Sequence, residues 1–246
     1  VVPFELREGT IFAGDYRVER PLARGGMGAV YVAEQRSTGK RRALKVMSPT
    51  LVDDERARER FVQEAKVGGL VDSAHVVEVM AAGIDEATRM PWLVMELLDG
   101  ETLQERIERD GRVGPAEMKE IAIQLRHALA LAHAQGLVHR DLKPENLFLE
   151  RPRRAGVPFT VKILDFGIAK LVQQAKGRQA SGTQSLGSPL WMAPEQANAQ
   201  EISPATDVWS LGLVTFAAIT GRVYWRTAAT DGDLHLTRLL VEILVD

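Results

Sequence analysis

The sequence predicts an α+β chain built in two parts, and three observations support this. Across roughly the first hundred residues, apolar and polar residues alternate in short runs typical of β-strands, with one helical stretch among them. From about residue 100 onward, apolar residues recur mostly at helical spacing. Residues 137–146 then join the end of a helix to an apolar stretch. This segment holds an acid, a lysine and an amide within six residues, so we expect a reaction site there.

Length and composition limit the function classes. A chain of 246 residues holds one or two domains, and a hydrophobic fraction of 45% is enough for a sizeable core. The net charge of −2 argues against general binding of nucleic acid or membrane surfaces, so we expect neither partner. The absence of Cys fits a reducing compartment, and we expect a cytoplasmic location. The strongly apolar run Val208–Ile219 is too short to span a bilayer, although an anchor outside this segment stays possible.

Glycines separate the first two predicted strands. Residues 16–22 alternate as a half-buried strand does, and Gly25, Gly26 and Gly28 follow before a second strand-like run. Such glycines let the backbone approach a ligand, and their N–H groups can face phosphate oxygens. A plain hairpin turn is the alternative. A dinucleotide site is disfavoured, because that fingerprint opens a helix and a strand follows here.

A lysine between apolar neighbours marks the third predicted strand, Arg42–Met47. Lys45 lies one hairpin after the glycines, and taken by itself an exposed strand lysine is the commoner interpretation. Two further strands are predicted at His75–Val79 and Trp92–Glu96.

One helix is predicted inside the strand-rich part. Asp53 or Asp54 can cap it, and it runs to about Leu70. Glu64 lies beside its apolar stripe, where it can face the core side or form a surface pair with Arg60.

The second part contains two long predicted helices. The first begins at Pro115 and is closed by Gly136; His127 and His133 on it have no ligand-spaced partners and are interpreted as ordinary helix residues. The second begins at Ser203 and ends at Gly221. It is apolar on nearly every side, so we expect it to be buried all round.

Residues 137–146 hold the parts needed to move a phosphoryl group onto a hydroxyl. Asp141 can orient the hydroxyl and take its proton, Lys143 can offset phosphate charge, and Asn146 can help to hold a metal ion. A basic surface loop after a helix is the alternative.

Several motifs together resemble those of protein kinases. Residues 139–146 match the catalytic-loop pattern H-R-D-L-x-x-x-N. The glycine run matches the glycine-rich loop, with Ala23 in place of its first glycine, and Lys45 matches the strand lysine. Residues 165–167 read D-F-G, residues 193–195 read A-P-E, and residues 207–212 fit D-x-W-S-x-G. The wording of the glycine loop resembles that of bacterial serine/threonine kinases of the Hanks type.

The resemblance covers roughly residues 16–221 and implies a two-lobed protein kinase fold. A small β-rich N-lobe with one helix is expected at about residues 16–96, after an N-terminal extension at 1–15. A hinge at 96–99 leads to a larger, mostly helical C-lobe at about 100–246. Because the family carries further helices, we expect this C-lobe to be incomplete, the chain alone to be marginally stable, and Glu195 to lack an arginine partner.

The resemblance also implies roles for particular residues, with ATP and Mg2+, or Mn2+, as cofactors. Asp141 is the implied base, Lys143 steadies the γ-phosphate, and Asn146 and Asp165 hold metal. Lys45 holds the α- and β-phosphates and is oriented by Glu64. The residues implied in nucleotide binding are Leu22, Ala23, Arg24, Gly25, Gly26, Met27, Gly28, Ala29, Val30, Ala43, Lys45, Met95, Glu96, Leu98 and Phe148.

Regulation and partners follow from the same resemblance. The activation loop between D-F-G and A-P-E offers Thr183 as first phosphosite candidate, then Ser181 and Ser185, and Arg140 as their anion partner. Asp207 is expected to brace the catalytic-loop backbone. Proteins with Ser/Thr hydroxyls are the expected substrates, with self-association for trans-autophosphorylation. A nucleotide-binding scaffold without turnover and an inactive fragment of a longer kinase remain the alternatives.

Overall fold

A computed structural model describes residues 5–25, 28–47, 71–152, 158–166, 189–226 and 236–245. These residues fall into two compact units, each with its own core. The first unit holds the described residues up to 47 together with residues 77–98. The second holds residues 71–76 and the described residues from 99 onward. The predicted helix ending near Leu70, including Glu64, lies outside the described residues.

The first unit is built on an antiparallel six-stranded sheet with the order β1-β2-β3-β4-β6-β5. Its strands are β1 (Ile11–Phe12), β2 (Tyr16–Gly25), β3 (Gly28–Gln35), β4 (Lys40–Met47), β5 (Val79–Ile84) and β6 (Pro91–Glu96). One face of this sheet carries a buried apolar cluster that includes Tyr31, Leu44, Val46 and Val94. The strands predicted from residues 16, 42 and 92 are confirmed.

The segment before residue 16 packs onto this sheet. Leu6 and Phe12 are buried in its apolar cluster, and the Leu6 N–H donates to the Tyr31 hydroxyl at 3.1 Å. Ile11 and Phe12 pair with β2. The residues predicted as an N-terminal extension therefore contribute both to the sheet and to the core of the first unit.

The strand predicted at His75–Val79 is displaced. Residues 71–76 belong to the second unit, where Val76 forms an isolated parallel bridge with Ile163. The regular strand begins only at Val79 and runs to Ile84. These residues are apolar, as a strand requires, but the chain leaves the second unit and enters the first unit here. The backbone hydrogen bonds of the predicted strand are therefore divided between partners in different units.

The second unit combines five helices of the described residues with a small antiparallel sheet of order β7-β8-β9. Its strands are β7 (Gly100–Thr102), β8 (Leu147–Glu150) and β9 (Thr160–Ile163). Its helices are α1 (Leu103–Asp110), α2 (Pro115–Ala134), α3 (Pro194–Ala197), α4 (Pro204–Thr220) and α5 (Leu236–Val245). Helix α2 buries Met118, Ile121, Leu125 and Leu129 at the spacing predicted for a scaffold helix.

Helix α1 has strong capping signals at both of its ends. The Thr102 hydroxyl accepts from the Glu105 N–H at 3.1 Å, and the Glu105 carboxylate accepts from the Thr102 N–H at 2.7 Å, which is a capping box. Gly111 ends the helix in the left-handed conformation, with φ of 76°. These caps define a helix of only eight residues.

Helix α4 begins and ends as predicted, with Ser203 at its N-cap and Gly221 in the left-handed conformation at its C-cap. The described residues cover one side of this helix, and the expectation that it is buried on every side stays a prediction. Val214 and Ala218 are fully buried, but Val208 is 63% exposed and Phe216 is 36% exposed. The helix packs only one side against the core of its unit. Within the described part of the chain, no helix combines the length and apolar character needed to cross a membrane.

Candidate active site

The predicted glycine-rich loop forms the end of a β-hairpin. Strands β2 and β3 pair up to Gly25 opposite Gly28, and Gly26 and Met27 between them lie outside the described residues. Gly28 has φ of 147°, and a Cβ there would lie 2.1 Å from the Val46 carbonyl oxygen. A Cβ at Gly25 would meet nothing within 4 Å. Gly28 is therefore required by its close approach to β4, whereas Gly25 keeps open space beside the backbone.

Strand register aligns the residues predicted to bind nucleotide in the first unit. Val30 is paired with Lys45, and Ala43 is paired with Met95. Since side chains two apart share a sheet face, these four lie on the face opposite the Tyr31 and Leu44 cluster. Lys45 is only 7% exposed there. An ammonium so deeply buried requires anionic or polar partners, as a phosphate-binding lysine has.

The remaining predicted nucleotide contacts are distributed as follows. Leu22, Ala23 and Arg24 lie at the exposed end of β2, and Ala29 is half-buried in β3. Glu96 ends β6, where its N–H donates to the Glu78 carbonyl at 3.1 Å and its carboxylate accepts from the Glu78 N–H at 3.0 Å. Leu98 follows this strand. Phe148 lies half-buried on β8 in the second unit.

The three polar residues of the catalytic loop converge in the second unit. Lys143 Nζ lies 3.3 Å from Asp141 Oδ2, and Asn146 Nδ2 donates to the same oxygen at 3.2 Å. Asn146 Nδ2 also donates to the Asp141 carbonyl at 2.8 Å. A 3₁₀ turn at Pro144–Asn146 brings the amide back toward the acid. The predicted association of Asp141, Lys143 and Asn146 is therefore present in the structure.

Asp207 braces the backbone just before this acid, as predicted. Its fully buried carboxylate accepts from the His139 N–H and the Arg140 N–H, each at 2.9 Å. Arg140 has φ of 70°, a left-handed conformation that costs a non-glycine residue about 1–2 kcal/mol. Two charge-assisted hydrogen bonds offset that strain and hold the turn that presents Asp141.

His139 connects the catalytic loop to the D-F-G segment. Its Nε2 lies 2.9 Å from the Leu164 carbonyl, and its Nδ1 accepts from the Asp141 N–H at 3.3 Å. Because the carbonyl can only accept and the N–H can only donate, these bonds select the neutral tautomer with the proton on Nε2. The ring also packs edge-on against Phe166, with ring centroids 5.0 Å apart. Asp165, which lies between Leu164 and Phe166 in the sequence, has φ of 56°.

Sequence reasoning missed two polar residues at this site. The sequence predicts His133 to be an ordinary helix residue, but its Nε2 lies 2.7 Å from Asp207 Oδ2. Gln196 was not singled out, although its side-chain Nε2 donates to the Arg140 carbonyl at 2.8 Å. Both partners are more than fifty residues away in the sequence, so no local pattern indicated either contact.

The donor set fits a magnesium ion bound with a polyphosphate. Asn146 uses Nδ2 for its bonds to Asp141, so its Oδ1 is the amide atom that could ligate a metal, and Asp165 offers a carboxylate. The described residues contain no cluster of three His, Cys, Asp or Glu side chains arranged around a metal. Mg2+ is commonly held by one or two protein oxygens together with water and phosphate oxygens. An Asn–Asp pair therefore suits Mg2+ carried by a nucleotide.

Some predicted residues lie outside the described part of the chain. They are Gly26, Met27, Glu64, Gly167, Ser181, Thr183 and Ser185. Glu195 is described and half-buried, and it accepts a hydrogen bond from the Thr206 hydroxyl at 2.5 Å. Among the described residues no cation pairs with Glu195, and the expectation that it lacks an arginine partner stays a prediction.

Comparison with known proteins places this geometry in a family. The protein kinase domain family matches residues 16–243. The serine/threonine-protein kinase PknA of Mycobacterium tuberculosis is 38% identical over 231 residues, which are 93% of this chain and 51% of PknA. Pkn1 of Myxococcus xanthus, also a serine/threonine-protein kinase, is 39% identical over 210 residues, 85% of this chain and 29% of Pkn1. The chain thus spans about half or less of these relatives.

Solved structures agree with the sequence comparisons. A crystal structure of the M. tuberculosis PknI kinase domain is similar with a TM-score of 0.72 and 26% identity, covering 96% of this chain and 90% of that domain. The predicted two-lobed kinase fold, with a β-sheet N-lobe and a helical C-lobe, is confirmed. This chain belongs to the protein kinase domain family and is a catalytic domain of the bacterial Hanks-type serine/threonine kinases.

Proposed function

We propose that the protein containing this domain transfers the γ-phosphoryl group of ATP to Ser or Thr hydroxyls of protein substrates. The observation that carries this proposal is the cluster of Asp141, Lys143 and Asn146 on a strained turn that Asp207 holds. Structural loops rarely retain strain of this kind, but catalytic loops do, because the strain presents a reactive side chain. Family membership supports the same reaction.

The chain's own residues divide the work as follows. Asp141 orients the substrate hydroxyl and accepts its proton, and the contacts of Lys143 and Asn146 leave its Oδ1 free of partners among the described residues. Lys143 offsets charge on the transferred group. Asn146 and Asp165 hold Mg2+, which neutralises phosphate charge when bound. Lys45 binds the α- and β-phosphates, oriented by Glu64.

The adenine side of the nucleotide is assigned to the first unit. The Glu96 N–H is already used by the Glu78 carbonyl, so the Glu96 carbonyl and the Leu98 N–H are the backbone groups proposed to bind adenine. Ala43 and Met95 line the same sheet face as Lys45 and supply apolar contact. The remaining contacts are those predicted along the glycine hairpin and at Phe148.

The location, partners and regulation of the whole protein are also proposals. We place it in the cytoplasm, with protein substrates and transient self-association that permits trans-autophosphorylation on the activation loop. Thr183 is the first candidate site, followed by Ser181 and Ser185.

A transfer assay with radiolabelled ATP, run beside a nucleotide-binding assay on the full-length protein, tests this function. We expect label on Ser and Thr of a protein substrate, dependence on Mg2+, and loss of label in Asp141→Asn. Nucleotide binding without transfer would instead identify a scaffold. Label confined to Tyr would contradict the substrate class.

A further inference from the structure

The peptide bond that leads into Asp141 is held at both of its polar atoms. Its carbonyl, from Arg140, accepts from Gln196 Nε2 at 2.8 Å. Its N–H, from Asp141, donates to His139 Nδ1 at 3.3 Å. This peptide plane sets the backbone orientation of the acid. The two hydrogen bonds together therefore restrict rotation of the peptide group that precedes Asp141.

The orientation of the Gln196 amide is fixed by its partners. Its Oε1 accepts from the Ala193 N–H at 3.0 Å, while its Nε2 donates to the Arg140 carbonyl. The N–H of Ala193 can only donate and the carbonyl of Arg140 can only accept, so a flipped amide would lose both bonds. Gln196 thus acts as a bridge with a defined direction.

Gln196 belongs to the segment Pro189–Ala197, which is held in place by hydrogen bonds to its neighbours. The Ser210 hydroxyl donates to the Trp191 carbonyl at 2.7 Å, and Trp225 Nε1 donates to the Leu190 carbonyl at 2.8 Å. The Thr206 hydroxyl donates to Glu195. These bonds hold the segment on and around α4, so Gln196 projects from a fixed platform toward the catalytic loop.

We propose that Gln196 is a positioning residue for Asp141. It holds the Arg140 carbonyl, while Asp207 holds the Arg140 N–H. The left-handed turn at Arg140 is then clamped from two elements, and the orientation of the acid depends on docking of Pro189–Ala197. This inference rests on the proposed function, because a kinase needs Asp141 aligned with the hydroxyl it deprotonates.

Two substitutions distinguish the effect of the Gln196 N–H donor from the effect of the size and shape of its side chain. Gln196→Glu keeps an acceptor for the Ala193 N–H but places an oxygen against the Arg140 carbonyl. Gln196→Met keeps length without any hydrogen bond. The matched control is Gln200→Glu, which adds the same charge at an exposed position of the same region. All variants are made in the full-length protein and phosphorylated to the same extent as the parent.

We expect both Gln196 variants to lower kcat about tenfold or more, with KM for ATP within about twofold, because the interaction acts on the chemical step. The deficit of Gln196→Glu should shrink as pH falls, since a protonated carboxyl regains a donor to the carbonyl. Gln196→Met should show no such recovery, and Gln200→Glu should behave as the parent.

Hydrogen exchange gives a readout that does not depend on activity. The Asp141 amide should exchange faster in both Gln196 variants than in the parent and in Gln200→Glu. Unchanged exchange, or kcat within twofold of an active parent, overturns the inference. A loss of kcat matched by an equal rise in KM for ATP, or by a large fall in melting temperature, also overturns it. A parent with no transfer activity counts against the proposed function, and the exchange comparison then still decides whether Gln196 holds the loop.

Discussion

His133 Nε2 lies 2.7 Å from Asp207 Oδ2, so the last turn of α2 is tied directly to the buried carboxylate that braces the catalytic loop. The same oxygen accepts from the His139 N–H at 2.9 Å. Because the Asp207 side chain is fully buried, its charge is compensated by these donors and the Arg140 N–H rather than by water.

This relationship gives a stability prediction for His133→Ala. Removing one donor from a buried carboxylate should lower the free energy of unfolding by about 1–3 kcal/mol. Denaturant unfolding measures it, with His127→Ala, an exposed histidine of the same helix, as the matched control. Equal effects of the two substitutions would show that the Asp207 contact contributes nothing particular.

Asp141→Asn should remove most phosphoryl transfer and leave ATP affinity within a few-fold, since a positioned acid–base group contributes about 10²–10⁴-fold to the chemical step. Steady-state kinetics and nucleotide titration measure the two quantities. Asp72→Asn, at an exposed position away from the predicted site, is the control and should match the parent. Near-normal turnover of Asp141→Asn in an active parent would show that Asp141 is not the base.

Gly28→Ala should disrupt the glycine hairpin, whereas Gly25→Ala should be tolerated. At Gly28 a Cβ would lie 2.1 Å from the Val46 carbonyl oxygen, and the φ of 147° is a conformation reserved for glycine. We expect a loss of at least about 2 kcal/mol at Gly28 and within about 1 kcal/mol at Gly25. Thermal unfolding and ATP binding test this pair, and a stable, ATP-binding Gly28→Ala protein would refute the steric argument.

Asp15 should make a pH-dependent contribution to the folding stability of the first unit. The Ser37 hydroxyl, with the Ser37 N–H and the Gln35 amide, lowers the pKa of Asp15 below its ordinary value of 3.8. A lowered folded-state pKa means that the stabilisation is present above 3.8 and is lost as pH falls through the folded-state pKa. Asp15→Asn should therefore destabilise the protein at pH 7 and lose this effect in acid. If the difference in free energy of unfolding between parent and variant grows on acidification, the pKa of Asp15 is not lowered by folding.

Activation-loop phosphorylation should engage Arg140, whose Nε is buried without a hydrogen-bond partner among the described residues. A phosphate at Thr183, Ser181 or Ser185 adds nearly two negative charges that a guanidinium can bind. Mass spectrometry of an active preparation should find phosphate between Asp165 and Glu195, and an Asp141→Asn preparation made alone should lack it. An active preparation without phosphate there would remove this mechanism.

Local chemistry was enough to predict much of the chain. Alternation identified β2, a lysine between apolar neighbours marked β4, and a short apolar run marked β6. Proline and glycine marked the limits of α2 and α4, because strands and helix ends depend on nearby residues. Asp141, Lys143 and Asn146 lie within six residues, so one turn suffices to bring them together. The roles of Asp207 and Asp165 came from the family resemblance.

The tertiary structure decided what depends on distant packing. His133 reaches Asp207 of α4, and Gln196 reaches the catalytic loop, only because a shared core packs these elements together. No sequence spacing encodes those distances. The strand after His75 was displaced because the chain changes units there. The exposed face of α4 followed from which of its sides the core covers, since an apolar sequence states only that burial is favourable, not which neighbour provides it.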